Sequence, residues 1–286
     1  NFPAGGPLDT MARQVSGSLS GRLGQPFAVE NVTGAAGEIG ASAVARAQPD
    51  GHTILMSIDA PFTIARAMRP QAGARIDDFT WVSLMGTSGL VFAVHPSVGV
   101  RSLAELIALG RTRSLNFSTA GPGSPGHLAA AVLGEVTGVQ ANPIHYRGNA
   151  PAVLAVVSGE VNAGILSTPG MLPHIRSGKL TGLAIAAERR SPLLPDLPTV
   201  GEAGHAALAQ ESLYVVGLPS RAPESLVRAL SVAIGEALAD PAARERFVAL
   251  DMSVSDAAES SRAEARLREL LDRYTKVVKA TGLKAE

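Results

Sequence analysis

The chain has 286 residues, 46% of them hydrophobic and only 17% charged, so it can bury a large core, and its length favours about two domains. Its 25 basic residues balance 25 acidic ones, and no cluster of Lys and Arg is interleaved with aromatics, which argues against a nucleic acid or an acidic membrane surface as partner. Cysteine is absent, which excludes disulfides, thiolate metal sites and a cysteine nucleophile and fits an oxidising compartment.

In chain order, the first informative stretch is Phe2-Pro3-Ala4-Gly5-Gly6-Pro7-Leu8-Asp9. Apolar residues at Leu8, Met11, Ala12, Val15, Leu19 and Leu23 then repeat with a helix period that stops at Gly24. A bare Gly-Gly turn at a helix start gathers unsatisfied N–H groups and the positive end of the helix dipole, so Gly5 and Gly6 are candidates for holding a small anion. In a βα unit a strand precedes such a turn. Only Asn1 and Phe2 do so here, so the natural protein is expected to extend further at this end.

Phe27–Glu30 reads as a strand, the stretch from Gly34 to about Ala47 as a glycine turn and helix, and Thr53–Ser57 as a short buried strand. Trp81–Met85 and Leu90–His95 read as two further strands. Ser102-Leu103-Ala104-Glu105 is a capping box that opens a helix. The pattern then alternates: strand Leu115–Ser118, helix Pro125–Thr137, strand Gln140–His145, helix Asn149–Ser158, strand Asn162–Leu166 and strand Leu180–Ala186. A Pro-rich loop, Ser191–Pro198, leads to a second capping box at Thr199–Glu202 and a strand at Leu213–Leu218. Helices follow over Pro223–Ala239, from Asp240-Pro241, and over Ala257–Ala280. The last carries an apolar stripe at Leu267, Leu270, Leu271, Tyr274, Val277 and Val278. Alternating strands and helices predict an α/β class with parallel sheets.

The order of elements predicts two α/β lobes. One is discontinuous and spans 1–95 plus 218–286; the other spans 96–217. Two strands would cross between them and act as a hinge around a ligand cleft.

Chemistry is expected at loops that leave strand ends and enter helices, since open α/β sheets place ligands there. Ser57 and Asp59 lie in one such loop. Others hold Thr119 and Ser124, then Arg147, Gly148 and Asn149, then Ser167 and Thr168. These loops combine hydroxyls, glycine and small residues at helix starts, a composition suited to a small polar ligand. The six histidines show no metal-ligand spacing, and neither G-x-S-x-G nor G-x-x-x-x-G-K-[ST] occurs, so no metal, nucleotide or other cofactor is predicted.

Several segments together carry a resemblance. Pro3–Asp9, Leu23–Asn31, Gly34–Gly40 and Pro49–Thr53 are similar to the Bug-type solute receptors of tripartite tricarboxylate transporters. So are Val94–Ser97, Pro143–Gly148, Leu172–Leu180 and Leu194–Gly204. The likeness runs in order through nearly the whole chain. It implies a two-lobed, Venus-flytrap periplasmic-binding-protein fold, a periplasmic location, no catalysis, and capture of a small carboxylate between the lobes. The partners it implies are an organic acid, dicarboxylate or amino acid as ligand and a membrane permease as recipient, with a monomer sufficient. Carried onto this sequence, the binding loops put Gly5, Gly6 and Asp9 in one clamp with Ser57 to Ala60 beside it. The opposing lobe contributes Thr119, Ser124, His127, Arg147, Gly148, Asn149, Ser167 and Thr168.

The chain departs from the family pattern in three loops: Ile58-Asp59-Ala60-Pro61, Ser167-Thr168 where an Asp-Asn pair is commoner, and Leu213-Tyr214 where aromatic pairs are frequent. Individual residues keep two readings each. Asp9 caps its helix or supports the site. Asp59 caps the following helix or meets a ligand amine. His127 donates to a carboxylate or fills polar space. Arg147 pairs with a second carboxylate, or is solvated or in a structural ion pair. The remaining histidines read as structural. An α/β enzyme acting on a small anionic substrate, or a ligand sensor for a signalling partner, stands as the alternative to a transport receptor.

Overall fold

In the computed structural model the residues described are 2–71, 73–256, 259 and 261–284. The chain divides into two compact units, residues 1–87 with 213–275 and residues 88–212 with 276–286.

The first unit begins with helix α1 (Pro7–Leu23), which starts with Pro7 in its first turn and stops where Gly24 turns left-handed at φ 65°. Helix α2 (Glu38–Ala45), strand β1 (Leu55–Ile58) and the short helix α3 (Ile64–Met68) follow. Strand β2 (Phe79–Val94) is a single 16-residue strand where two were expected. Gly86 and Gly89 lie in the gap between the two expected strands, yet the strand runs on through it. A Cβ at Gly86 would fall 2.1 Å from the Ser253 carbonyl oxygen, so this glycine lets another strand come close.

The second unit takes over within β2. It continues with α4 (Leu103–Thr112), β3 (Leu115–Thr119), α5 (Pro125–Thr137), β4 (Ala141–His145), α6 (Asn149–Val157), β5 (Ala163–Ser167), α7 (Thr168–Arg176) and β6 (Thr181–Ala186). Strand β7 (Glu211–Pro219) leads back into the first unit, which ends with α8 (Glu224–Ala239), α9 (Pro241–Ala249), β8 (Ser253–Val254) and α10 (Ala263–Thr281). The start expected for this last helix, Ala257, lies outside the described residues. The unit boundaries at 87/88 and 212/213 fall inside β2 and β7, where 95/96 and 217/218 were expected, because each strand supplies residues to both units. A third boundary, at 275/276, lies inside α10 and gives the chain end to the second unit.

Neither unit is purely parallel, although alternation alone suggested parallel sheets. In the first unit β1 pairs antiparallel with β7, and β8 pairs antiparallel with β2 at Gly86 and Thr87. In the second unit β4, β3 and β5 run parallel, joined by helical crossovers, while β2 pairs antiparallel with both β5 and β6. Alternation along the strands divides the core. Leu90, Phe92 and Val94 face one apolar cluster of the second unit, and Val91 and Ala93 face the other. Tyr214, Val216 and Leu218 face one cluster of the first unit, and Leu213 and Val215 the other. Strands buried on both faces need cover on both sides, which the helices supply. Leu267 of α10 is fully buried, with Leu270 and Leu271 packed against the same cluster, as the stripe predicted.

The expected strand Phe27–Glu30 belongs to no ladder among the described residues. Side chains hold this stretch instead. Phe27 N–H donates to Ser20 Oγ at 2.9 Å, and Asn31 Nδ2 donates to the Phe2 carbonyl and to Asp9 Oδ1 at 2.9 and 3.0 Å. No helix among the described residues is long and apolar enough to cross a membrane.

Candidate functional site

The Gly-Gly turn of the first unit is less bare than its sequence suggests. Gly5 sits at φ +79°, a conformation that favours glycine, and its N–H donates to Asp9 Oδ2 at 3.0 Å. Asp9 is buried and also accepts from Arg13 Nε at 3.0 Å and Asn31 Nδ2 at 3.0 Å. Burial opposes its charge, but the bonds from Arg13, Gly5 and Asn31 outweigh that and hold the carboxyl below its usual range. The capping reading of Asp9 is therefore the one its contacts support. An anion arriving at the Gly5 amide would have to displace a carboxylate already seated there. Gly6 differs. Its φ of −82° suits any residue, and a Cβ there would approach nothing closer than the Pro3 carbonyl at 3.6 Å.

Ser57 and Asp59 stand at the end of β1 and bond inward. Ser57 Oγ donates to the Ile58 carbonyl at 2.8 Å. Asp59 is 1% exposed; Oδ1 accepts from Leu213 N–H and Oδ2 from Thr63 Oγ1, both at 3.0 Å. With both oxygens engaged inside the fold, Asp59 closes a turn and ties it to β7; it does not present itself to a ligand amine. Burial pushes its pKa up to about 6 against the pull of those bonds.

In the second unit the C-terminal ends of the three parallel strands lie side by side in the order β4–β3–β5, and α5, α6 and α7 start near them. This is where helix dipoles and free N-terminal amides favour negative charge. Ser124 caps α5 by accepting from His127 N–H at 3.3 Å. Gly148, at φ +110°, precedes α6. Ser167 precedes α7, and its Oγ is buried with no hydrogen-bond partner among the described residues. Asn149 bridges two of these starts, its Oδ1 accepting from Ser167 N–H at 3.3 Å. Thr168 Oγ1 donates to the Gly89 carbonyl at 3.0 Å and anchors α7 to β2. Arg147 is exposed and makes no ion pair or hydrogen bond among the described residues, which fits the solvated reading and not the structural ion pair.

His127 is 4% exposed, and its Nδ1 accepts from Gly123 N–H at 3.1 Å. A backbone amide can only donate, so this contact fixes the tautomer: Nδ1 is bare and Nε2 carries the proton. Burial first, and His145 second, push the imidazole down to about 4, so it is neutral near pH 7. A neutral ring with Nε2–H is a hydrogen-bond donor and a poor base. Thr119 is fully buried; its Oγ1 lies 2.6 Å from His145 Nδ1, and the His145 ring packs edge-to-face on His127 at 4.6 Å. Thr119, Ser124 and His127 are thus drawn into one cluster, and Asn149 is joined to Ser167. Sequence reasoning left His145 among the structural histidines; its register opposite Thr119 appears only once β3 and β4 are paired. Gln210, whose Nε2 donates to the Pro125 carbonyl at 3.1 Å and steadies the start of α5, also went unnoticed.

The family model for the tripartite tricarboxylate transporter family receptor matches residues 11–283. Protein BugT of Bordetella pertussis is 34% identical over 287 residues, covering 99% of this chain and 88% of that protein. Among solved structures, R. palustris Rpa4515 with adipate is 28% identical at a TM-score of 0.92, covering 99% of this chain and 95% of that one. The periplasmic binding protein BugD is 28% identical at a TM-score of 0.89, covering 100% and 96%. The α/β fold is accordingly that of the periplasmic binding proteins of the Bug type, and the chain belongs to the tripartite tricarboxylate transporter receptor family.

Proposed function

We propose that this protein is a periplasmic receptor that captures a small organic acid and passes it unaltered to the membrane permease of a tripartite tricarboxylate transporter. One observation carries the reading: three helices start along the β4–β3–β5 edge, where a buried imidazole is fixed in its neutral, Nε2-protonated form. A carboxylate there meets His127 Nε2–H, the Ser167 hydroxyl and the first amides of α5, α6 and α7, with Arg147 adding positive charge from the exposed side. Thr119, Ser124, Gly148, Asn149 and Thr168 shape and brace this edge. In the first unit Gly6 is the part of the Gly-Gly turn left open to an anion, with Asp9, Ser57 and Asp59 as internal supports.

Family membership and the adipate held by Rpa4515 support a carboxylate as ligand. The periplasm and the permease rest on the family and on BugD. The chemistry of the edge supports binding without turnover. The bare nitrogen of His127 is occupied by an amide, and Thr119, whose hydroxyl pairs with the neighbouring His145 imidazole, is fully buried.

A thermal-shift screen over adipate, succinate, malate, aromatic acids and amino acids tests the proposal, with recovered ligand analysed for change. Ligand at about 100 times its Kd stabilises the fold by about 2.7 kcal/mol, a shift of several degrees. Stabilisation by a carboxylate with no product formed is the expected result. Conversion of the stabilising compound would overturn the receptor reading.

A further inference from the structure

The contact between His127 and His145 has no counterpart in the sequence motifs, and it joins an internal residue to the proposed ligand edge. His127 is held from two sides. Gly123 N–H occupies Nδ1, which sets the tautomer, and the His145 ring lies against its ring at 4.6 Å and 75°. His145 is itself tethered by the Thr119 hydroxyl, which also receives the Gly121 amide at 3.4 Å. A hydroxyl that accepts from an amide has its hydrogen left for His145 Nδ1. Thr119 and His145 stand opposite each other at the paired ends of β3 and β4, and His127 stands in the first turn of α5.

We propose that His145 is a positioning residue for carboxylate capture: packed on His127 and anchored by Thr119, it holds that imidazole in one orientation as an uncharged Nε2–H donor. This deepens the carboxylate-receptor reading and rests on it. The physical consequence is distinctive. Converting His127 to imidazolium would put a proton on Nδ1, facing the Gly123 N–H, and a positive charge beside a second imidazole in a buried place. Burial and His145 are the influences resolved on the His127 ring, and no carboxylate is among them. Carboxylate binding through such a donor takes up no proton at His127, so this ring gives the affinity no pH dependence across the range in which an ordinary histidine titrates.

The test uses the full chain, with adipate and malate as probes, and compares the wild type with His145→Ala and His145→Phe. Phe keeps an aromatic ring against His127 and removes the second titrating group. Imidazole 15N NMR reads the tautomer and titration of His127, and calorimetry at pH 5.5 and 8 reads affinity. In the wild type His127 stays neutral, with its proton on Nε2, throughout that range. His145→Ala is expected to loosen the His127 ring, so that a second tautomer appears beside the one Gly123 favours. The midpoint should rise from about 4 part of the way toward the ordinary histidine value of about 6.5, burial being the larger cause and still present. Binding should be about tenfold weaker at pH 8 than in the wild type. His145→Phe is expected to restore the single tautomer and to bind within about threefold of the wild type. Thermal melts identify a variant that fails to fold, and in that event the Phe variant decides. A His127 tautomer and titration unchanged in His145→Ala would overturn the proposal. Failure of the wild type to bind either acid, with the His127 signals behaving as expected, would instead count against the carboxylate reading.

Discussion

Two loops of this protein look alike as sequence and differ as chemistry. Gly5-Gly6 before α1 and Gly121-Pro122-Gly123-Ser124 before α5 are both glycine turns at helix starts. In the first, a buried carboxylate from the helix itself takes the Gly5 amide, so the fold consumes its own anion site. In the second, the Gly123 amide is spent on His127 Nδ1, and the effect is the opposite: the bond turns the ring's other nitrogen into a fixed donor. A glycine turn therefore says that amides are close together, not that they are available. What decides availability is the side chain three or four residues on, Asp9 in one case and His127 in the other.

The largest effect that can break this comparison should come from Gly126. A Cβ there would stand 2.2 Å from the Ile165 carbonyl oxygen, a backbone atom that cannot step aside. Gly126→Ala should push α5 off β5 and cost about 1–3 kcal/mol or more, as overpacking does. A melting temperature unchanged from the wild type would show that α5 is not seated as described. His127→Ala comes next. Losing one hydrogen bond to a charged ligand costs about 1.5–3 kcal/mol, so carboxylate affinity should fall about 10- to 100-fold, and removing a buried, hydrogen-bonded ring should also lower the melting temperature of the free protein. Equal affinity by calorimetry would remove His127 from the site.

Asp59 sharpens the contrast between a buried support and a binding group. Its folded pKa, about 6, lies above the ordinary value of 3.8. The folded state therefore binds the proton more tightly, and Asp59 favours folding fully below about pH 3.8. That contribution, on the order of 3 kcal/mol at about 1.4 kcal/mol per pKa unit, is lost as pH rises through about 6. Asp59→Asn keeps an acceptor for Leu213 N–H and removes the titration. Melting temperatures measured from pH 4 to 7 should fall less steeply with rising pH in the variant. Parallel curves for the two proteins would show that Asp59 is not the titrating group. The smallest effect is expected at Gly6, where φ is ordinary and a Cβ would make only an ordinary contact, 3.6 Å from the Pro3 carbonyl oxygen. Gly6→Ala should leave the melting temperature within about 1 °C, since a surface change of this kind is worth under about 0.5 kcal/mol. If carboxylate affinity drops all the same, the turn of the first unit touches the ligand; if it does not, the second unit carries the recognition alone.

Much of the second unit was legible because its signals are local. Pro125–Thr137 begins with a serine cap and a proline and ends at a left-handed glycine, and its bounds match the expected ones. Strands β3, β4 and β5 fall within a residue or so of where alternation and turn residues put them. The first unit was harder for reasons that are not local. Phe27–Glu30 has the composition of a strand, but a strand is completed by a partner, and here side chains of Ser20 and Asn31 supply the bonds. Gly86 lies between the two expected strands, yet β2 runs on through it, because a glycine there leaves room for the tight approach of β8. The antiparallel placement of β2 between β5 and β6 has no signature in spacing at all.

At the candidate site, sequence picked the loops and missed the contacts within them. Asp9 and Asp59 look like exposed acids at helix starts and are in fact buried acceptors, since a distant partner, Asn31 or Leu213, closes over each. His145 gave no signal because its meaning depends on the register that sets it opposite Thr119.

The account stands or falls on whether a carboxylate meets the uncharged donor at the start of α5. Titrating 15N-labelled protein with adipate and malate tests this directly. At least one acid should move the His127 Nε2 resonance together with the amides of residues 121–124, saturating at one equivalent and leaving the ligand chemically intact. Saturable binding of either acid with those signals unmoved would contradict it.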